Sequence, residues 1–368
     1  MKPVVQQPIL VMAGGTGGHV FPALAVAECL RARGEQIIWL GTRAGIEARV
    51  VPAANFAIEW LNVQGLRGKG KVSLLLAPFR LLRACWQALC ILRRTRPKAV
   101  LGMGGFVSGP GGLMARLLSI PLFVHEQNSI VGLTNRVLGR FATSVYVAFP
   151  QAADALAGAE CIGNPVREDL TQLDEPGQRL QARMDSPLQL LVIGGSLGAA
   201  ALNRMVPQAI ACLEPEQRPL VRHQCGEKHL QSCQQYYADA RVKAEVVSFI
   251  DDMSDAYGWA DLVVCRAGAL TIAELCAVGL GSLLIPFPYA VDDHQYHNAR
   301  FLEQQDAAEV MLEAGLSAEK LALKLRFFQQ NRALLVEMAV NARAQFQIDA
   351  AEHLASGILR GISARAGA

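Results

Sequence analysis

Apolar positions along this chain gather in short runs that end in glycine or in a polar cluster, and each run is followed by a helical pattern. Residues 9–13, 36–40, 99–103 and 122–125 form such runs in the first half. Residues 190–193, 246–250, 262–265 and 282–286 form them in the second. Unbroken apolar runs of this length fit strands buried on both faces, and their alternation with helices predicts parallel sheets. The first run opens into Gly14, Gly15, Thr16, Gly17 and Gly18. An apolar helical pattern through Leu24, Val26, Ala27 and Leu30 follows, with Pro22 at an early helical position and Gly34 as the stop. The same design returns after residues 190–193, as Gly194, Gly195, Ser196, Leu197 and Gly198. A third glycine turn, Gly104 to Pro110, follows residues 99–103. Two or three helices are predicted from about residue 317 to 362. The pattern predicts an α/β protein of two Rossmann-like domains facing a cleft, with the hinge near Gly163, Asn164 and Pro165.

Composition sharpens this picture at three points. With 368 residues, 52% of them hydrophobic, the chain suits two ordinary domains and excludes wholesale disorder. The net charge of +3 conceals an imbalance, because residues 1–150 carry +12 and the remainder −9. A basic half predicts an anionic partner: nucleic acid, lipid headgroups or a phosphorylated substrate. The nine cysteines are scattered and contain no C-x-x-C pair, so they read as reduced core residues and a metal site is not expected. The first strand begins too early to leave room for a signal peptide. No apolar stretch reads as a spanning helix, since residues 100–115 are broken by glycines and Pro110.

A strand that ends in glycines and opens a helix offers bare N–H groups and a positive dipole end to an anion. The first glycine turn is not a dinucleotide fingerprint: Val20 stands where a third glycine belongs, and residues 36–40 end in Gly41 rather than an acid. No Gly-Lys-Ser/Thr follows either, so a P-loop is excluded. Residues 265–274 form a further strand–turn–helix unit, in which Ala269, Leu270, Thr271, Ile272 and Ala273 open the helix and Glu274 can accept two bonds from a ribose diol. His19 follows the first turn, where a helix N-terminus favours the neutral imidazole that can accept a proton. His125 and Glu126, at the end of another strand, are rival bases. Asp251–Asp252 reads as a helix cap, and Asp292–Asp293 as polarity on the substrate side. Residues 67–97 interleave Leu75, Phe79 and Trp86 with Lys69, Lys71, Arg80 and Arg83, a basic and apolar surface suited to an anionic bilayer.

These segments resemble the MurG family of bacterial peptidoglycan glycosyltransferases. The likeness lies in GGTGGHVFPALAVA from Gly14, LRGKG from Leu66, LGMGGFVSGPGG from Leu101, HEQN from His125 and GNPVR from Gly163. It continues in GGSLGA from Gly194, FIDDM from Phe249, GALTIAE from Gly268 and DDHQYHNA from Asp292. The resemblance implies the glycosyltransferase B architecture, with domains over 1–164 and 165–347 and a helix at about 348–364 packing back on the first. It implies inverting transfer of N-acetylglucosamine from its UDP donor to undecaprenyl-pyrophosphoryl-N-acetylmuramoyl-pentapeptide, without a cofactor. The setting it implies is the cytoplasmic face of the inner membrane, in wall synthesis serving cell shape and division beside other wall-building proteins. By motif, Thr16, Gly17, Gly18 and Asn128 would line the donor-sugar side. Arg167 and Ser196 would meet the phosphates, Ile250 the uracil by its backbone, Glu274 the ribose, and residues 269–273 with Gln295 the rest of the donor. Leu197 stands where the family usually has glutamine, and Ala267 where serine is common. A UDP-N-acetylglucosamine 2-epimerase, a glycolipid galactosyltransferase, a non-catalytic sugar-nucleotide sensor and a nucleic-acid binder are the alternatives. The last is disfavoured by the 6% aromatic content.

Overall fold

Strand residues of alternate parity feed opposite core layers, which is why the apolar runs are unbroken. In the computed structural model, which describes residues 7–63, 76–195 and 198–367, the first run is β1 (Ile9–Met12). Ile9 and Val11 enter one buried cluster, with Val20, Val26, Leu30, Trp39, Leu354 and Ile358. Leu10 and Met12 enter another, with Leu40, Ala88, Leu92 and Val124. The chain divides into two compact units, Met1–Arg167 with Gln347–Ala368, and Glu168–Phe346.

The first unit continues with β2 (Ile37–Gly41), β3 (Ala57–Trp60), β4 (Ala99–Gly102), β5 (Leu122–Glu126), β6 (Ser144–Val147) and β7 (Glu160–Cys161). All seven strands are parallel, in the order β3-β2-β1-β4-β5-β6-β7, so the order reverses between β1 and β4. The register sets Leu10 opposite both Ile38 and Val100. Helix Gly17–Ala32 covers one face together with the terminal helix Ala350–Ala366. Gly361 permits that close approach, because a Cβ there would stand 2.7 Å from the Phe123 ring.

The second unit has β8 (Gln189–Ile193), β9 (Leu220–Gln224), β10 (Glu245–Val247), β11 (Leu262–Cys265), β12 (Ser282–Leu284) and β13 (Ala308–Val310). They form a parallel sheet in the order β10-β9-β8-β11-β12-β13, reversing between β8 and β11. A buried charge ties its lower edge together. Asp261 accepts the Gln189 N–H at 2.9 Å and pairs with Arg332 at 2.6 Å and Arg183 at 3.2 Å.

Several elements depart from the sequence expectation. Strands β3, β6, β7, β9 and β13 escape it: β7 has two exposed residues, and β9 carries His223 and Gln224 inward. The run at 246–250 is a strand only to Val247, after which the chain turns irregular before a helix. Pro22 lies in the second turn of its helix, because the helix already begins at Gly17. Asp252 does cap a helix, accepting the Asp255 N–H at 2.9 Å. The cysteines are free but not all in the core, for Cys90, Cys161 and Cys212 are exposed.

Two histidines are enclosed, one in each unit, and burial pushes His125 down to about 4 and His223 down to about 3. Both stay neutral when folded, whereas in the unfolded chain each regains its ordinary value of 6.5. The unfolded state therefore binds more protons below that value. Folded stability is fully present above about pH 6.5 and is lost toward pH 4, by on the order of 1.4 kcal/mol per pH unit per histidine. Urea midpoints should fall between pH 7 and pH 5; equal midpoints would contradict this.

Candidate active site

At the carboxyl edge of the first sheet, the loops after β1, β4 and β5 are neighbours at the point where strand order reverses. Ligands bind there in open α/β sheets. Thr16 is the N-cap of helix Gly17–Ala32 in extended conformation, and its hydroxyl caps nothing. Gly15 takes a φ of +97°, open only to glycine at little cost. Its N–H does not face outward. It donates to Glu47 Oε2 at 2.9 Å, while the Thr42 N–H and hydroxyl donate to Oε1 at 2.8 and 2.7 Å. Glu47 is fully buried, and a Cβ on Gly14 would stand 2.6 Å from its Oε1. A carboxylate thus underlies the first glycine loop, which makes that loop a poor phosphate cradle despite its sequence.

A chain of hydrogen bonds leads from this loop into the sheet. His19 Nδ1 lies 3.0 Å from Gln127 Oε1, Gln127 Nε2 lies 3.2 Å from His125 Nδ1, and His125 Nε2 lies 3.0 Å from the Gly163 carbonyl. His125 and Gln127 are fully buried, and His19 is partly exposed. Gly104 closes over the pair, since a Cβ there would meet His19 Nδ1 at 2.7 Å. Gly163 holds a φ of +82° in the Gly-Asn-Pro turn, which aims its carbonyl inward, and Asn164 Nδ2 donates to the Gln127 carbonyl at 3.0 Å.

Glu126 is occupied differently. Its Oε1 accepts from the Asn128 N–H at 3.0 Å and Asn128 Nδ2 at 3.3 Å, and its Oε2 from the Gly132 N–H at 3.1 Å and Asn135 Nδ2 at 2.9 Å. Four donors saturate a carboxylate that is nearly inaccessible, so it folds the loop that carries Asn128. Arg167, also in the first unit, has its guanidinium 6.0 Å from the centre of the Phe21 ring.

In the second unit the loops after β8 and β11 are neighbours at the matching reversal. The second glycine loop rests on a neutral amide. Gly195 N–H donates to Gln224 Oε1 at 3.1 Å, and Gln224 Nε2 donates to the carbonyls of Gly195 and Ser248 at 3.0 and 3.1 Å. Ser196 and Leu197 lie outside the described residues. Helix Ala269–Val278 starts from Gly268 with no capping side chain or acid in its first turn. Glu274 lies more than a turn inside, nearly buried, and accepts the Tyr257 hydroxyl at 3.0 Å. Asn298 Nδ2 donates to the Ala267 carbonyl at 3.2 Å, and Gln295 Oε1 accepts the Phe287 N–H at 2.9 Å. Ile250 is half-buried beyond β10, and Asp292 and Asp293 are exposed at left-handed φ.

A family model for the glycosyltransferase family 28 N-terminal domain matches residues 9–147, and one for its C-terminal domain matches residues 189–354. The chain belongs to glycosyltransferase family 28, and within it to the MurG family. A Marinobacter nauticus protein named UDP-N-acetylglucosamine–N-acetylmuramyl-(pentapeptide) pyrophosphoryl-undecaprenol N-acetylglucosamine transferase is 50% identical over 345 residues, covering 94% of this chain and 95% of that protein. A Chromohalobacter salexigens protein of the same name is 53% identical over 351 residues, covering 95% and 96%. Among solved structures, Acinetobacter baumannii MurG is 40% identical with a TM-score of 0.79, covering 96% of this chain and 99% of that one. The calicheamicin glycosyltransferase CalG4 matches with a TM-score of 0.68 at 15% identity, a likeness of fold. The family membership places the chain among glycosyltransferases of B-type architecture and excludes the epimerase, sensor and nucleic-acid alternatives.

Sequence reasoning passed over Gln127, Glu47 and Gln224. Gln127 had a signal, standing inside the H-E-Q-N run between two singled-out residues. Glu47 is one of only five acids in the basic half. Gln224 gives none, since its strand mixes polar residues into a short apolar run.

Proposed function

We propose that this enzyme transfers N-acetylglucosamine from UDP-N-acetylglucosamine to the 4-hydroxyl of undecaprenyl-pyrophosphoryl-N-acetylmuramoyl-pentapeptide, inverting the anomeric centre, in peptidoglycan synthesis. The observation that carries this reading is identity of one half over almost the whole length of transferases bearing that name. The acceptor oxygen attacks the anomeric carbon, the bond from that carbon to the UDP oxygen breaks, and the hydroxyl proton passes to a base. His19 is that base. Its ring is partly exposed at the sheet's carboxyl edge, whereas His125 is enclosed and Glu126 saturated. Thr16, Gly17, Gly18 and Asn128 form the sugar side of this first-unit site.

The nucleoside of the donor is assigned to the second unit. Arg167 and Ser196 meet the phosphates, helped by the open N-terminus of helix Ala269–Val278, whose first residues are Ala269 to Ala273. Ile250 takes the uracil, Glu274 the ribose, and Gln295 completes the pocket. The contrast between a carboxylate under the first glycine loop and an amide under the second supports placing the leaving diphosphate at the second.

The enzyme works as a peripheral protein on the cytoplasmic face of an anionic membrane. No helix among the described residues is long and apolar enough to cross one. Helix Ala77–Thr95 buries Ala84, Ala88, Ile91 and Leu92, while Phe79, Leu82 and Trp86 stand 71%, 67% and 63% exposed at spacings that put them on one stripe. Arg80 and Arg83 lie beside the stripe; Lys69, Lys71 and Leu75 lie outside the described residues. Changing Phe79, Leu82 and Trp86 together to serine should abolish flotation with anionic vesicles and leave turnover of a short-chain soluble acceptor intact. Undiminished flotation would contradict the membrane assignment.

A further inference from the structure

We propose that Gln127, oriented by His125, is a positioning residue that fixes the proton of His19 on Nδ1 and so leaves Nε2 as the atom that accepts the substrate proton. The inference rests on reading His19 as the base and adds how that base is prepared.

The chain of hydrogen bonds is anchored at the Gly163 carbonyl. A carbonyl only accepts, so His125 must carry a proton on Nε2, 3.0 Å away. Enclosure keeps that ring singly protonated, leaving Nδ1 with a lone pair. The Gln127 side chain must then turn its amide nitrogen to His125 Nδ1, at 3.2 Å; that nitrogen also lies 3.3 Å from the His125 carbonyl. The flipped amide would set oxygen against the lone pair, leaving two acceptors face to face in a dry site. With the amide fixed, Gln127 Oε1 faces His19 Nδ1 at 3.0 Å and can only accept. His19 must therefore donate from Nδ1. Among the described residues no other hydrogen bond reaches its ring, and the Nε2 lone pair remains for a hydroxyl. One backbone carbonyl thus determines the tautomer of a histidine two side chains away, as orientation by the second ring nitrogen generally does.

This arrangement uses a neutral amide where many histidine bases have a carboxylate. The imidazolium formed on proton transfer faces a neutral amide oxygen and not a full countercharge. Asn164 ties down the backbone carbonyl of Gln127, and Gly104 closes over the His19 ring.

The direct test is the ¹⁵N spectrum of the histidine-labelled full-length enzyme, with His19 assigned by loss of its signals in His19→Gln. The expected result is a pyrrole-type Nδ1 and a pyridine-type Nε2 at His19. A pyrrole-type Nε2 in the native enzyme would overturn the inference without any further variant. Gln127→Leu should convert His19 to the Nε2–H tautomer and lower kcat by about 10- to 100-fold while leaving the KM for UDP-N-acetylglucosamine unchanged. Gln127→Glu keeps an acceptor opposite His19 Nδ1 and, with a proton on its second oxygen, a donor opposite the His125 lone pair, so it should retain the Nδ1–H signature and turn over faster than Gln127→Leu. An Nδ1–H signature that survives Gln127→Leu overturns the inference. A His19→Ala enzyme with native kcat would instead remove the base reading, and the tautomer measurement would stand apart from it.

Discussion

His19→Ala lowers kcat by about 10²- to 10⁴-fold, the range a general base contributes, and leaves UDP-N-acetylglucosamine affinity as it was. The split follows from placement. His19 stands in the first turn of helix Gly17–Ala32, in the unit assigned to acceptor chemistry, and its hydrogen bond runs inward to Gln127. Removing the ring takes away a proton acceptor used during attack on the anomeric carbon. It takes away none of the residues assigned to uracil, ribose and diphosphate. Donor affinity from equilibrium titration, set beside kcat at saturating acceptor, reads the two effects separately. Loss of donor binding with kcat preserved would contradict the assignment and turn attention back to His125 and Glu126.

The second large effect belongs to Glu274 and has the opposite signature. Its carboxylate is nearly buried and accepts from Tyr257 while remaining the charged acceptor assigned to the ribose. Hydrogen bonds to charged groups contribute about 1.5–3 kcal/mol, so losing that charge should raise the donor KM by roughly 10- to 100-fold with kcat little changed. Glu274→Gln is the better variant, because the amide oxygen still accepts the Tyr257 hydroxyl and the fold is spared. Glu274→Ala would leave that buried hydroxyl without this partner and add a stability loss of about 1–3 kcal/mol. An unaltered donor KM in Glu274→Gln would remove the ribose role.

Much of this architecture is legible in the sequence, for identifiable reasons. The strands β1, β4, β5, β8 and β11 are enclosed by helices on both faces, so their apolar runs are unbroken and stand out. Strands β3 and β7 lie at sheet edges, and β9 turns His223 and Gln224 into the core, so periodicity does not announce them. The glycine loops are equally plain in the sequence, yet their electrostatic difference is not. It depends on Glu47, which is 32 residues from Gly15 in the chain, and on Gln224, which is 29 from Gly195. The roles of His19, His125 and Glu126 are inseparable in sequence, since each is a titratable group at a strand end. Hydrogen bonds divide them: one ring is partly exposed, one is enclosed, and one carboxylate is saturated by four donors.

The most direct measurement is release of UDP from UDP-N-acetylglucosamine with and without a short-chain lipid-linked muramoyl-pentapeptide. Release only in the presence of the acceptor, accompanied by a disaccharide-bearing lipid of inverted anomeric configuration, is the predicted result. Release without acceptor, or acceptor-dependent release that yields no disaccharide, would contradict the transferase account.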